Sequence, residues 1–244
     1  MDIYLASTHP YGPESLLTAS DGRPGLGVCF LHKRYLVDPT WSGLEHASWK
    51  RWLCDFIGIR EQLCLASRSN DSLSDAFKHV IKYRPEKILH VMHHSWRVQG
   101  RMIEKSAQLK AEIRNIPADS LCGKPGLPKT CTLQDTYLPY QSLREQAARF
   151  MDDSKIFPFL DIDGFGSAGD DTEKWTFLRT AFGVKGDDTA EFLVDILRWT
   201  KHHWATNLGG EPVGKARLLK VRDLYLAIAT KVFKSGPATE ELVS

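Results

Sequence analysis

The chain has 244 residues, enough for one large domain or two small ones around a buried core. Its 32 basic and 30 acidic residues leave a net charge of +2, too balanced to drive the whole chain onto nucleic acid or an anionic membrane. Hydrophobic residues at 42% and charged residues at 25% are typical of a soluble globular protein, and no apolar run is long enough to cross a bilayer.

Residues 1–40 are rich in Pro, Gly, Ser and Thr and are expected to be irregular, with one short strand at 27–31. The start Met1-Asp2-Ile3-Tyr4 lacks a basic segment followed by an apolar one, so no secretory signal is expected. Residues 41–120 read as a first helical unit. It opens with a helix over 48–57, whose Trp49, Trp52, Leu53, Phe56 and Ile57 form one apolar stripe expected to face the core. Gly58 supplies the left-handed stop, and 59–65 reads as a short strand or extended link. Asp71 or Ser72 is expected to cap the next helix, which carries Leu73, Phe77, Val80 and Ile81. Pro85 ends it and opens a long helix toward Ile113, with an irregularity expected at Gly100.

Residues 121–139, punctuated by Gly and Pro, read as a structured loop and as the internal boundary. A second helical unit fills 140–234, with helices over 140–151, 171–182, 188–205 and 214–233 and a short strand near 157–162. Pro158 assigns that strand to a sheet edge. Residues 235–244 read as a disordered tail. The predicted fold is therefore mainly α with a few short strands.

One pattern occurs twice. Leu53, Gly58, Ile59, Arg60, Asp71, Asp75, Phe77, Val80 and Tyr83 are echoed by Leu178, Gly183, Val184, Lys185, Asp187, Glu191, Leu193, Ile196 and Trp199. Each copy reads as helix, glycine stop, β-branched residue, basic residue, acidic start and amphipathic helix. Residues shared by both copies are better explained by packing and capping than by one catalytic event.

Asp187-Asp188-Thr189-Ala190-Glu191 fits a DDxxE pattern, in which carboxylates one turn apart could hold magnesium. At the start of a helix the same acids serve as caps, and Asp71 and Asp75 occupy the matching places of the first copy. Capping is the expected role; Asp187, Asp188 and Glu191 remain the metal candidates, magnesium the alternative cofactor, and a metal-dependent enzyme of secondary metabolism the alternative function. His90 and His94 stand at i, i+4, yet nothing nearby completes a zinc set, so packed or solvent-facing rings are expected. Gly22 to Gly27 reads as a turn rather than a phosphate loop, because no helix follows it. Five cysteines form an odd set without CxxC, as in an intracellular protein with reduced thiols, cytoplasmic or nuclear. The last helix mixes Lys215, Arg217, Lys220, Arg222 and Lys231 with apolar residues. It is expected to be a core helix with a solvated basic face, and nucleic-acid binding through it is the weaker alternative.

The runs Trp49 to Arg60, Leu73 to Phe77, Tyr83 to Leu89, Asp135 to Pro139, Phe157 to Leu160 and Glu191 to Trp199 carry a resemblance. Together they resemble a segment of large fungal proteins that carry a histidine-kinase/heat-shock-type ATPase domain, similar to sacsin and the plant NO VEIN proteins. The resemblance covers roughly residues 28–232. It implies a segment downstream of the ATPase domain, with no catalytic or cofactor-binding residue to carry over. A non-catalytic scaffold with a protein partner is the expected function.

Overall fold

Two buried tyrosines organise the chain. In the computed structural model, described over residues 2–6, 9–36, 46–124, 127–128, 130–163, 165, 173–207 and 214–235, Tyr4 is 0% and Tyr137 1% exposed. Tyr4 lies in β1 (Ile3–Leu5), which pairs in parallel with β2 (Cys29–Leu31) so that Tyr4 stands opposite Phe30. On the other flank the Leu5 N–H donates to the Arg60 carbonyl at 2.8 Å, and the Arg60 N–H donates to the Ile3 carbonyl at 2.8 Å. Tyr4 is therefore the middle of three parallel segments.

Parallel neighbours need crossovers, and short helices supply them. α1 (Pro13–Leu17) starts on a proline and buries Leu16 and Leu17 on the way to β2. α2 (His46–Asp55) leads toward Arg60, and Gly58 at φ 77° turns the chain so that Ile59 points inward. α3 (Asp75–Tyr83) follows, capped by the Ser74 hydroxyl, which accepts from the Phe77 N–H. Ser74 also donates to the Cys64 carbonyl. The cap is thus Ser74, not Asp71 or Ser72; the Asp71 carboxylate instead accepts from the hydroxyls of Ser67 and Ser69. α4 (Ile88–Lys105) runs straight through Gly100, and the break falls at Ser106, whose hydroxyl caps α5 (Ala107–Arg114). Gly100 serves packing: a Cβ there would lie 2.8 Å from the Trp96 ring. A short α6 (Ala118–Cys122) ends at Gly123.

The second half uses the same backbone plan. Tyr137 stands opposite Phe159 on one flank and Lys185 on the other, both parallel. The Leu138 N–H donates to the Lys185 carbonyl at 2.8 Å and the Lys185 N–H to the Thr136 carbonyl at 3.0 Å. The strand predicted near 157–162 reduces to a single bridge at Phe159, on the outer side of this trio. The crossovers are α7 (Gln141–Phe150) and α8 (Thr176–Phe182), and Gly183 at φ 76° sets Val184 inward. α9 (Ala190–Asn207) and α10 (Lys215–Ser235) complete the described chain. Along α3 and into Arg84 the buried positions are Ala76, Phe77, His79, Val80 and Arg84; along α9 they are Phe192, Leu193, Asp195, Ile196 and Thr200, in the same spacing.

Helices thus carry most of the described residues and the strands are three residues long, the mainly α fold that the periodicity predicts. Before residue 37 the chain is more ordered than its composition suggests, since β1 and α1 accompany the predicted strand near 27–31. The predicted disordered tail over 235–244 lies almost wholly outside the described residues.

The larger core cluster joins Tyr4, Leu17, Phe77 and Met92 to Leu138, Leu160, Phe177 and Phe182, so α8 packs on the first half. A second cluster sets Tyr137, Phe157 and Phe159 against Phe192 and Leu224, and a third, small one holds Leu5, Leu53 and Ile59. Two helices depart from expectation. After α2, Phe56 is 77% and Ile57 54% exposed, and Trp52 on the helix is 40% exposed, so only part of the predicted stripe meets the core. On α10, Leu224 is buried while Leu218, Leu219, Tyr225, Leu226, Val232 and Phe233 are exposed. The face of α10 turned to solvent is largely apolar but also carries Lys215 and Arg222, while Arg217, Lys220 and Lys231 lie beside the inward face.

Candidate functional site

The most complete polar constellation surrounds Tyr137. Gly183 turns the chain out of α8, Lys185 pairs with the Tyr137 segment, and α9 brings Asp195 to the same point. Asp195 is 7% exposed. Its carboxylate accepts from the Tyr137 hydroxyl at 2.7 Å, from Lys185 Nζ at 2.8 Å and from Arg198 at 2.9 Å. Lys185 Nζ also lies 2.8 Å from Glu191 Oε1. Outside this cluster a cleft of about 520 Å³ opens, lined by Tyr137, Arg179, Lys185, Asp187, Thr189 and Glu191.

Burial works to raise the Asp195 carboxyl pKa, but hydrogen bonds from Lys185 and Tyr137 outweigh it and leave the group below its ordinary value. Burial, reinforced by Asp195, pushes the Tyr137 hydroxyl well above the ordinary tyrosine range. Burial opposes the charge on Lys185, yet Asp195 and Glu191 outweigh it and hold the ammonium above its usual value. All three move away from neutral pH. General acid–base catalysis works best with a group that titrates near the working pH, so this trio is set as a permanent ion pair with a fixed hydrogen bond.

The acids nominated for magnesium are separated by their partners. Asp187 accepts twice from Arg179 of α8, both at 2.8 Å. Asp188 pairs with Lys231 of α10 and accepts from Gln146 of α7 at 2.6 Å. Glu191 pairs with Lys185. Three carboxylates turned to three different cations do not make the converging oxygen set that magnesium requires. Among the described residues no cluster of three or more His, Cys, Asp or Glu is placed to hold a metal. Nor do Asp187 and Asp188 cap α9. The chain bends at Asp187, the helix starts at Ala190, and the Thr189 hydroxyl accepts from the Phe192 N–H at 3.3 Å. Asp170, Asp171 and Thr172 lie outside the described residues.

Other candidates resolve into packing. His90 stacks on Tyr11 with ring centres 4.7 Å apart, and His94 stacks on His9 at 4.6 Å. Burial lowers the pKa of both, so the i, i+4 pair is held as two half-buried rings on separate partners. The thiols of Cys122 and Cys131 are both pushed up to about 12, chiefly by burial, which keeps them protonated and unreactive. Asp21 and Gly22 take left-handed conformations, so the Gly-rich segment is a turn as predicted. On α10, Arg217 and Lys220 both reach Asp152, and Arg222 pairs with Asp223. These ion pairs leave little of the basic stripe for phosphates. Among the described residues no helix is long and apolar enough to cross a membrane.

Sequence reasoning passed over the Tyr137–Asp195–Lys185 cluster. The available signal was Asp195 itself, an acid set between Leu193 and Ile196 on the inward face of an amphipathic helix. No family model, no curated protein and no solved structure matches this chain.

Proposed function

We propose that the chain is a non-catalytic, mostly helical scaffold that acts through protein–protein contacts. In this reading it is a segment of the kind that lies downstream of the ATPase domain in large fungal sacsin- and NO VEIN-like proteins. It works inside the cell, in cytoplasm or nucleus, where its thiols stay reduced. One observation carries the reading: the buried Asp195 carboxylate is filled by the Tyr137 hydroxyl at 2.7 Å, Lys185 at 2.8 Å and Arg198 at 2.9 Å, an arrangement that ties elements together. The ion pairs of Asp187, Asp188 and Glu191 add to it, since each acid ties α9 or its approach to another element. Exposed aromatic and aliphatic side chains on α2 and α10 supply contact surface of the kind that marks protein interfaces.

The test is Asp188→Ala with magnesium followed by calorimetric titration. A scaffold loses up to about 1 kcal/mol of stability with the exposed Lys231 pair, and the heat of magnesium addition is the same in both proteins. A site-specific magnesium heat lost in a stably folded variant, or turnover of prenyl diphosphates or nucleotides by the purified chain, overturns the reading.

A further inference from the structure

The face that α8 buries inside the chain is the face that α2 leaves open. Phe177, Ala181 and Phe182 are 6%, 4% and 0% exposed. They are covered by α4, where Trp96 stacks on Phe177 at 4.8 Å and meets Phe182 at 5.5 Å, and by α5, where Arg114 donates to the Ala181 carbonyl at 3.1 Å. Counting back equally from Gly183 and Gly58, the matching residues are Trp52, Phe56 and Ile57. These are 40%, 77% and 54% exposed, with Trp49, Trp52 and Phe56 stacked in a row. Leu53 and Leu178 are buried in both. The difference lies on the side that α5 and Trp96 of α4 cover in one case and nothing described covers in the other.

The other end of the chain carries the complementary surface. α10 follows α9 in chain order as α4 follows α3. It packs inward through Leu224 and turns Leu218, Leu219, Tyr225, Leu226, Val232 and Phe233 outward. Those residues recur at sevenfold spacing in two adjacent rows (218, 225, 232 and 219, 226, 233), with the exposed Arg222 between their first two turns and Ala229 between the next two. The chain thus presents an uncovered acceptor face at one end and an uncovered covering helix at the other.

Resting on the scaffold reading, we propose that the partner is a second copy of this chain, added head to tail, with α10 of one copy covering the Trp52–Phe56–Ile57 face of the next as α5 and Trp96 of α4 cover α8 within each copy. Such a contact is heterologous. It leaves one α2 face and one α10 face open at the ends of every assembly, so association continues until a ring closes.

Sedimentation equilibrium of the whole chain and of two surface variants tests this. Wild type is expected to rise in mass with concentration. Phe56→Glu and Leu226→Glu, each altering one exposed face, are each expected to remain monomeric. Mixed in equal amounts they are expected to form a dimer and stop there, because Phe56→Glu keeps its α10 face and Leu226→Glu keeps its α2 face. Phe56→Gln and Leu226→Gln replace either variant that loses its helical circular dichroism. A wild type monomeric at every concentration, a variant that still self-associates, or a mixture that stays monomeric each overturns the proposal. Such failures leave the scaffold reading standing with another partner. Turnover or specific magnesium binding overturns the scaffold reading whatever the masses are.

Discussion

Tyr4 and Tyr137 occupy the same backbone position in two different chemical settings. Each is the central residue of a three-segment parallel arrangement, flanked by a Phe-Leu segment and by a β-branched–basic pair that follows a left-handed glycine. Around Tyr137 the hydroxyl, a buried carboxylate and two cations complete one another. Around Tyr4 the hydroxyl is buried beside Cys64 and lacks the carboxylate partner that Tyr137 has, Arg60 is exposed, and the α3 position that spaces with Asp195 is His79, whose Nε2 is buried with no hydrogen-bond partner among the described residues. The comparison separates two layers of the design. Backbone pairing and glycine geometry suffice to build the unit, and the ionic network is an addition that stiffens only one of them.

The largest test of that separation is Asp195→Ala. It leaves Lys185 and the Tyr137 hydroxyl without their acceptor, and loss of one partner from a buried pair costs about 3 kcal/mol. Urea unfolding monitored by far-ultraviolet circular dichroism reads it. The Asp195 pKa is lowered in the folded state, so its contribution is full above the unfolded carboxyl value and fades as pH falls through the folded one. Wild type should therefore lose its advantage over the variant below about pH 4. An unchanged difference at low pH would show that the carboxylate's charge is not the stabilising element.

The next effect sets the tyrosines against each other. Tyr137→Phe should cost about 2 kcal/mol, the worth of a hydrogen bond to a charged acceptor, whereas Tyr4→Phe should cost clearly less because no charged acceptor meets that hydroxyl. Equal losses in the two variants would erase the distinction. The smallest effect tests what the units share. Gly58→Ala and Gly183→Ala should each cost about 1 kcal/mol, and by nearly the same amount. Neither new Cβ meets an atom within 4 Å, so only the left-handed backbone is strained. Denaturation midpoints that diverge would mean that the two turns are not equivalent.

The helices and their stops were legible because a 3.6-residue stripe ending in glycine leaves a periodic trace. The tyrosine trios left none. Each contact is one to three residues long and joins segments distant in sequence, so no alternation develops. Their trace was in phrases rather than periods: Tyr4-Leu5 and Tyr137-Leu138, Phe30-Leu31 and Phe159-Leu160. The cap of α9 is Thr189 rather than the aspartates because the chain still bends at Asp187 and the helix begins only at Ala190, which frees the acids for ion pairing. The outward face of α10 was misread for a different reason. Apolar residues line both sides of that helix, and only its packing on α7 and α9 decides which side is inside.

The central place of Tyr4 also bears on how the chain is made. In each trio the middle segment comes first in sequence, so on the ribosome it emerges with both edges bare and collects its neighbours in turn. β1 must wait for β2, and then for Arg60. Closing such distant contacts is slow compared with forming the helices between them. Until then the exposed edges of β1 are a template that any extended segment can pair with. A chaperone that shields β1 as it is synthesised would protect a strand that can neither fold early nor be left uncovered.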